Sequence, residues 1–434
     1  MRYLLRFLLF TAMALSRLQA EDPIVFEGVR FAGIWYYHTQ NREEVAAQFP
    51  VGVDFGDRRE LQNGLSVEVP SQLTTDLLAA MKAEQQVGGH RLVDRLADNA
   101  DAVLSSAGNA WVICCALNYE HTETQQMRLG RKTVTKILAE VGFDVILCNF
   151  RDRRIAAMLP GRIQLIDAVE GTEASEERRR ALLKTIYEQK LLPEFMELVK
   201  RPCSTFTPNV TIGIDRMEIR DELMRDVPEK LRPSVYQLYS TLICEAVFNG
   251  DRDELRRRTE RKRGRKFTAE EIAENERLKP GVAVLPYSGG NDLVYYNMRE
   301  QVDDGSRLII RTAEDNSAAG LQQTEDGRSY ILKKPDYTLD IVLPRFETQV
   351  KRLNKYQNQV AFVAGCQLTV RKDGAPIFSR KFFGSVQGAY TPDVKFGTPW
   401  LYYQAASYKM LESAVECLRK DEATKALMFE SSVN

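Results

Sequence analysis

One pattern occurs twice in this chain, and the recurrence constrains the fold more than any other feature. Gln72-Leu73-Thr74-Thr75-Asp76-Leu77-Leu78 reads against Gln237-Leu238-Tyr239-Ser240-Thr241-Leu242-Ile243, with leucines at helical spacing and a proline, Pro70 or Pro233, just upstream. Two stretches of equal length, Val145–Gly171 and Phe362–Gly388, each read as strand, turn, strand, and close on Val169-Glu170-Gly171 and Val386-Gln387-Gly388. A degenerate repeat of this kind names an architecture and not a reaction. It predicts two units built alike and shifts the expectation from catalysis toward binding.

Periodicity gives each unit its elements. In the first, Ile24–Trp35 alternates as a strand, Pro70–Ala83 is helical with Leu73, Leu77 and Met81 on one face, and a second helix fits Leu92–Ser106. Strands fit Ala110–Tyr119, Phe143–Phe150 and Arg162–Val169, and a long helix from Ser175 to Lys200 closes the unit. Arg201-Pro202-Cys203-Ser204-Thr205-Phe206-Thr207-Pro208 breaks all periodicity and marks a linker. The second unit restarts at Val210–Ile214, with a helix over Pro233–Phe248 and strands at Thr338–Leu343, Val360–Val370 and Pro376–Val386. Lys372-Asp373-Gly374 turns the last two into a hairpin, and a helix runs from Tyr402 to Leu418. The fold class is therefore α+β: two tandem small-sheet domains with helices packed on the sheet. The division is 1–20 signal peptide, 21–200 first domain, 201–208 linker, 209–420 second domain and 421–434 tail. A polar, weakly periodic insertion at about 251–334 is expected to bury little and to be dispensable for folding.

At 434 residues the chain can bury two cores, and sixty basic residues against sixty acidic ones give no overall charge case for nucleic acid. Arg2 and Arg6 precede a short apolar run, Phe7–Leu15, followed by small residues at Ala14-Leu15-Ser16 and Leu18-Gln19-Ala20 and then Glu21-Asp22. That is the layout of a cleavable secretory signal. The run is too short to span a bilayer, and no later stretch is long enough to do so. The expected product is soluble and periplasmic or secreted. Seven cysteines, an odd number, sit mostly in apolar segments and read as small hydrophobes rather than a disulfide framework.

Tyr337-Thr338-Leu339-Asp340-Ile341, the run Val360–Val370, the Asp373-Gly374 turn and Ile377-Phe378-Ser379-Arg380-Lys381 resemble a recurring envelope α/β module. It is the module of the curli secretion channel subunit, the penicillin-binding-protein activator lipoproteins and the amino-terminal domain of TolB. The resemblance covers about two thirds of 208–420 and extends more faintly over 24–200, in tandem. It implies a soluble interaction module in the envelope. The first cysteine is Cys114, so the lipidated amino-terminal cysteine of those lipoproteins has no counterpart here, and no pair of lipid-facing strands supports a channel.

Candidate chemistry is sparse. His38, His90 and His121 are not paired at metal spacing, and no Cys-x-x-Cys or Gly-x-Ser-x-Gly occurs. His121 reads as a strand-end surface residue, and Trp111 and Trp400 read as core. Pro286-Tyr287-Ser288-Gly289-Gly290-Asn291-Asp292 is a plain loop without the ending of a phosphate loop. Asn209-Val210-Thr211 matches a glycosylation acceptor but leads into a strand. Arg256, Arg257, Arg258, Arg261, Lys262, Arg263, Arg265 and Lys266 form the densest basic run and are the candidate contacts for anionic lipid or an acidic polymer. No aromatic residues interleave with them, as stacking on bases requires, and Glu270, Glu271, Glu274 and Glu276 follow closely. The reading is a non-catalytic envelope protein that docks a protein partner, with no cofactor and no metal. The alternatives are a secreted hydrolase with an unidentified carboxylate site and a glycan-binding module.

Overall fold

A computed structural model describes residues 29–37, 42–62, 65–84, 86–87, 90–95, 111–129, 132–149, 154–171, 174–200, 210–249, 265–266, 268, 282–285, 292–294, 307–312, 328–332, 335–390, 392 and 399–424. The first unit runs β1 (Val29–Tyr37), α1 (Arg42–Gln48), a 3-10 turn (Gly52–Phe55), β2 (Arg58–Gln62), β3 (Leu65–Val69), α2 (Gln72–Ala83), β4 (Gln86–Val87), β5 (His90–Arg95), β6 (Trp111–Leu129), β7 (Lys132–Asn149) and β8 (Arg154–Glu170). It ends in α3 (Glu176–Thr185), a π turn (Ile186–Lys190) and α4 (Leu191–Val199). The second runs β9 (Val210–Ile219), α5 (Asp221–Asp226), a 3-10 turn (Glu229–Ser234), α6 (Val235–Asn249), β10 (Val282–Leu285), β11 (Asp292–Val294), β12 (Arg307–Thr312), β13 (Arg328–Leu332), β14 (Tyr337–Leu343), β15 (Phe346–Asn354), β16 (Gln357–Lys372), β17 (Ala375–Tyr390) and α7 (Trp400–Lys420).

The α+β class follows directly from these elements, with two large sheets and a separate two-stranded ribbon of β2 and β3. Within the larger sheet the order β5-β1-β6-β7-β8 is matched by β10-β9-β14-β16-β17 in the other. In each, the opening strand lies parallel to both neighbours, and the next two pairings are antiparallel. The helices carrying the repeated heptapeptide, α2 and α6, follow the opening strand in both. The hairpins correspond as elements but not at the register the sequence suggested. Val145 pairs with Leu159 close to its turn, whereas Phe362 pairs with Val386 far from its own.

Local signals explain the element ends. Ser71, after Pro70, caps α2 by accepting a hydrogen bond from the Thr74 amide, and Ser175 does the same for α3 from Arg178. The π turn falls where Pro193 has no N–H for the carbonyl one turn back, and the Leu191 amide bonds to the Ile186 carbonyl instead. Asp373 and Gly374 both take positive φ, 50° and 79°, the geometry of a tight hairpin turn.

Three expectations need correction. Residues 90–95 form β5 beside β1, not the start of a helix, because the parallel edge of β1 recruits them. Strands β6, β7 and β8 are far longer than their apolar segments, since the polar Thr and Gln positions between them pair across the sheet. The insertion is not bare of strands: β10 pairs with β9, β13 with β8 and β11 with β1, so it adds to both sheets.

Two cores result. One packs α2, α3 and α4 on the first sheet through residues such as Phe31, Leu77, Phe143 and Phe195. The other packs α6 and α7 on the second sheet through Leu238, Leu242, Phe362, Trp400 and Met410. Trp400 is fully buried and Trp111 nearly so, as expected of core side chains. Burial of a large apolar side chain is worth ~1.5–3 kcal/mol, so each core is ample for its unit. The opposite face of the first sheet lies against the second unit: Tyr119 belongs to the second core, and Thr241 of α6 and Gln404 of α7 bond to residues of β6 and β7. The layers therefore read helices, sheet, helices, sheet.

Candidate functional site

The seam between the first sheet and the helices of the second unit carries the densest buried polar chemistry among the described residues. Along β7, Ala139, Val141, Phe143 and Val145 point into the first core, so Glu140, Gly142 and Asp144 share the opposite face. His121, Glu140 and Gln164 stand opposite one another across β6, β7 and β8, and Tyr119, Gly142 and Arg162 form the adjoining row.

Glu140 is the hub of this grid. Its Oε1 accepts from the Tyr119 hydroxyl at 2.6 Å and lies 3.6 Å from Arg162 Nη1. Its Oε2 accepts from Gln164 Nε2 and from Gln404 Nε2, each at 2.7 Å. Arg162 in turn lies over the Tyr408 ring of α7, 5.7 Å from its centroid. Four partners, from two strands and one helix of the other unit, thus converge on one carboxylate.

Gly142 makes the room. A Cβ there would lie 2.2 Å from both Asn118 Oδ1 and Tyr119 Cε1. Asn118 sits at a β-bulge and donates to Asp144 Oδ2 at 3.1 Å and to Thr241 Oγ1 at 3.2 Å. Burial pushes the Asp144 carboxyl up to about 6, against hydrogen bonds from Asn118 and Tyr37 that favour its charged form.

Glu120 works on the other face of β6. It accepts from the amides of Val51 (3.0 Å) and Gly52 (2.7 Å) and from the Tyr187 hydroxyl (2.8 Å). Its carboxylate supplies the acceptor that the amides opening the 3-10 turn lack. Burial nonetheless holds its carboxyl at about 6.

His121 overturns its surface reading. It lies in mid-strand, 6% exposed, opposite Glu140, because β6 runs on to Leu129 and the second unit covers this face. Burial lowers its imidazole to about 4, only partly countered by Glu140. Its Nε2 lies 3.9 Å from Glu123 Oε2.

As chemistry, the seam holds rather than reacts. Glu140 accepts three hydrogen bonds from protein donors, has the Arg162 guanidinium at ion-pair distance, and its side chain is only 1% exposed, which leaves little room for a substrate. Among the described residues no three His, Cys, Asp or Glu are grouped to hold a metal ion, and no helix is long and apolar enough to cross a membrane. Cys114, Cys115, Cys244, Cys366 and Cys417 form no disulfide, and burial raises the Cys366 thiol to about 12, in keeping with an inert core position.

Exposed features gather on the second sheet. Strand β17 pairs with β16 over its whole length, and among the described residues no strand pairs with its other edge. The corresponding edge of β8 in the first unit takes β13 only at Arg154 and Ile155, at its start. Near the middle of β17, Phe383 is 68% exposed, its ring covering Gly365 of β16. Around it the open face is polar, with Thr369 bonded to Ser379 and Arg371 paired with Asp340 at 2.7 Å.

Of the basic run, Arg265 and Lys266 are described and exposed, and the Arg265 guanidinium donates to the Lys266 carbonyl. Arg256, Arg257, Arg258, Arg261, Lys262 and Arg263 lie outside the described residues, as do His38, the signal segment and most of the Pro286–Asp292 loop.

No family model matches the chain, and no curated protein matches it. Among solved structures it is similar to a minor lipoprotein from Acinetobacter baumannii, with 13% identity over 41% of this chain and 92% of that one, at a TM-score of 0.20. So low a score supports no inference about function.

Proposed function

We propose that this chain is a non-catalytic, secreted or periplasmic envelope protein that docks a protein partner through the outer edge of β17. The observation that carries the reading is that long edge with an exposed phenylalanine at its centre. An unpaired edge offers a row of main-chain donors and acceptors to an added strand, and Phe383 supplies a side-chain anchor. The amino-terminal charge and apolar pattern supports export, and the burial of Glu140 beneath protein donors weighs against its use by a hydrolase. The test places a photo-cross-linking residue at Phe383 in the native host, with Glu177 on the helical face of the first unit as control. A discrete adduct from Phe383 and none from Glu177 is expected; no adduct from either position would remove the reading.

A shallow polar face with an exposed aromatic also suits a glycan, with Phe383 stacking on a sugar ring among Gln367, Ser379 and Gln387. Saturable binding of soluble cell-wall fragments, lost in Phe383→Ala, would favour that role over a protein partner.

A further inference from the structure

Five large apolar side chains are exposed among the described residues, and three of them, Val350, Leu353 and Tyr356, fall within one hairpin tip. They are 61%, 48% and 67% exposed, on the end of β15 and the turn that leads into β16. Nothing in the fold requires them there. Beyond Glu347 every residue of β15 is exposed, so this arm stands clear of the core.

The same seven residues carry Lys351, Arg352 and Lys355, and no acidic residue occurs between Glu347 and Asp373. Glu347 itself is held by Arg345. The three cations are thus interleaved with the three apolar groups and lack a carboxylate in their own segment. The turn is ordered: the Tyr356 amide donates to Asn354 Oδ1 at 2.8 Å, and Lys355 Nζ lies 4.7 Å from the centroid of the Tyr356 ring. An aromatic, two aliphatic groups and three long cationic chains on one projecting tip match the strata of a lipid interface. There rings sit at headgroup level, aliphatic chains enter the acyl boundary, and Lys and Arg reach phosphates.

We infer that the β15–β16 hairpin tip is a peripheral membrane contact that seats on an anionic lipid surface through Val350, Leu353 and Tyr356, steered by Lys351, Arg352 and Lys355. This surface is separate from the β17 edge and stands whether or not that edge takes a partner. It also differs from the sequence-based candidate, Arg256–Lys266, in offering apolar groups to bury as well as charge. Two such signals bind together where either alone is marginal.

Sedimentation of the full chain with vesicles tests the inference, using phosphatidylcholine alone and phosphatidylcholine with about one quarter phosphatidylglycerol. Binding to the mixed vesicles and not to the neutral ones is expected, with loss at high salt. The variant Lys351→Gln/Arg352→Gln/Lys355→Gln should bind more than about tenfold more weakly, since each cation near such a surface counts several-fold. Val350→Ser/Leu353→Ser/Tyr356→Ser should weaken binding while keeping its salt dependence. All six positions are exposed, so the folded state survives both changes, checked by unchanged unfolding. Unaltered binding by the charge variant would overturn the inference. So would loss confined to a variant with Arg256, Arg257, Arg258, Arg261 and Arg263 changed to Gln. Preferential capture of soluble polyglutamate, with no vesicle binding, would reassign the tip to an acidic polypeptide.

Discussion

The Tyr119 hydroxyl donates to the Glu140 carboxylate at 2.6 Å, and the ring that carries it lies over Gly142, the residue between Glu140 and Asp144 on the same strand face. Through this bond a side chain of the second unit's core is tied to the carboxylate that also accepts from Gln404 of α7. The seam is therefore a buried polar joint centred on Glu140, although Asn118 Oδ1 and His121 Nε2 beside it have no hydrogen-bond partner, and it fixes how the two sheets stack as much as how firmly.

Removing the hub should be costly. Glu140→Ala leaves the Tyr119, Gln164 and Gln404 donors and the Arg162 guanidinium without their acceptor, in a site closed to water. A loss of ~3 kcal/mol or more is expected, read from the denaturant midpoint. Glu140→Gln keeps the shape but turns one acceptor into a donor facing donors, and should recover little. A change below ~1 kcal/mol in either would mean that the seam opens to water.

Gly142→Ala tests the space rather than the charge. The new methyl would meet Asn118 and the Tyr119 ring at 2.2 Å, and both are buried. Overpacking of this kind costs ~1–3 kcal/mol. On a Tyr119→Ala background half of the obstruction is gone, so the same substitution should cost less there. Equal costs on both backgrounds would show that the backbone shifts instead.

Much of the fold was legible because local pattern and tertiary role agreed. Leu73, Leu77 and Met81 declared α2, and Asp373-Gly374 declared the β16–β17 hairpin. The seam was not legible for a definite reason. Ala139-Glu140-Val141-Gly142-Phe143-Asp144-Val145 alternates as a strand with one wet face, whereas the second unit covers that face. Alternation reports which residues differ from their neighbours, not what lies above them. The same blindness placed His121 on the surface. The signal that was present, two acids flanking a glycine on one face, gains meaning only once Tyr119 and Asn118 are seen to fill the gap. Strand β15 was missed because its polar residues, Glu347 to Asn354, serve an exposed arm with little apolar period to detect.

Excising 251–334, which composition alone marks as expendable, is now expected to weaken both units. It removes β10 from the edge of β9 and β11 and β13 from β1 and β8. Replacement by a flexible linker adds little closure cost, ~0.6 kcal/mol per doubling of length, so a drop beyond that reports the lost ladders. Amide exchange in β9 should rise in the excised protein, and unchanged protection there would restore the first reading.

Stability should depend on pH through opposed groups in one window. The Asp144 and Glu120 carboxyls are raised to about 6 in the folded chain, above their ordinary values of 3.8 and 4.5. The folded state thus binds more protons than the unfolded one over that interval, and their contribution falls as pH rises through it. His121 is lowered from 6.5 to about 4, so the unfolded state binds the extra proton and its contribution rises with pH over nearly the same range. The three largely offset one another, and the wild-type curve between pH 4 and 6.5 should be shallow. Asp144→Asn removes one falling contribution while keeping an acceptor for Asn118. Relative to wild type it should gain stability as pH rises from 4 to 6, by up to ~3 kcal/mol at 1.36 kcal/mol per unit. His121→Gln should do the reverse, losing stability relative to wild type as pH rises toward 6.5. Melting temperatures of the three proteins across this range decide the matter, and parallel curves would show that Asp144 and His121 titrate alike in the folded and unfolded chain.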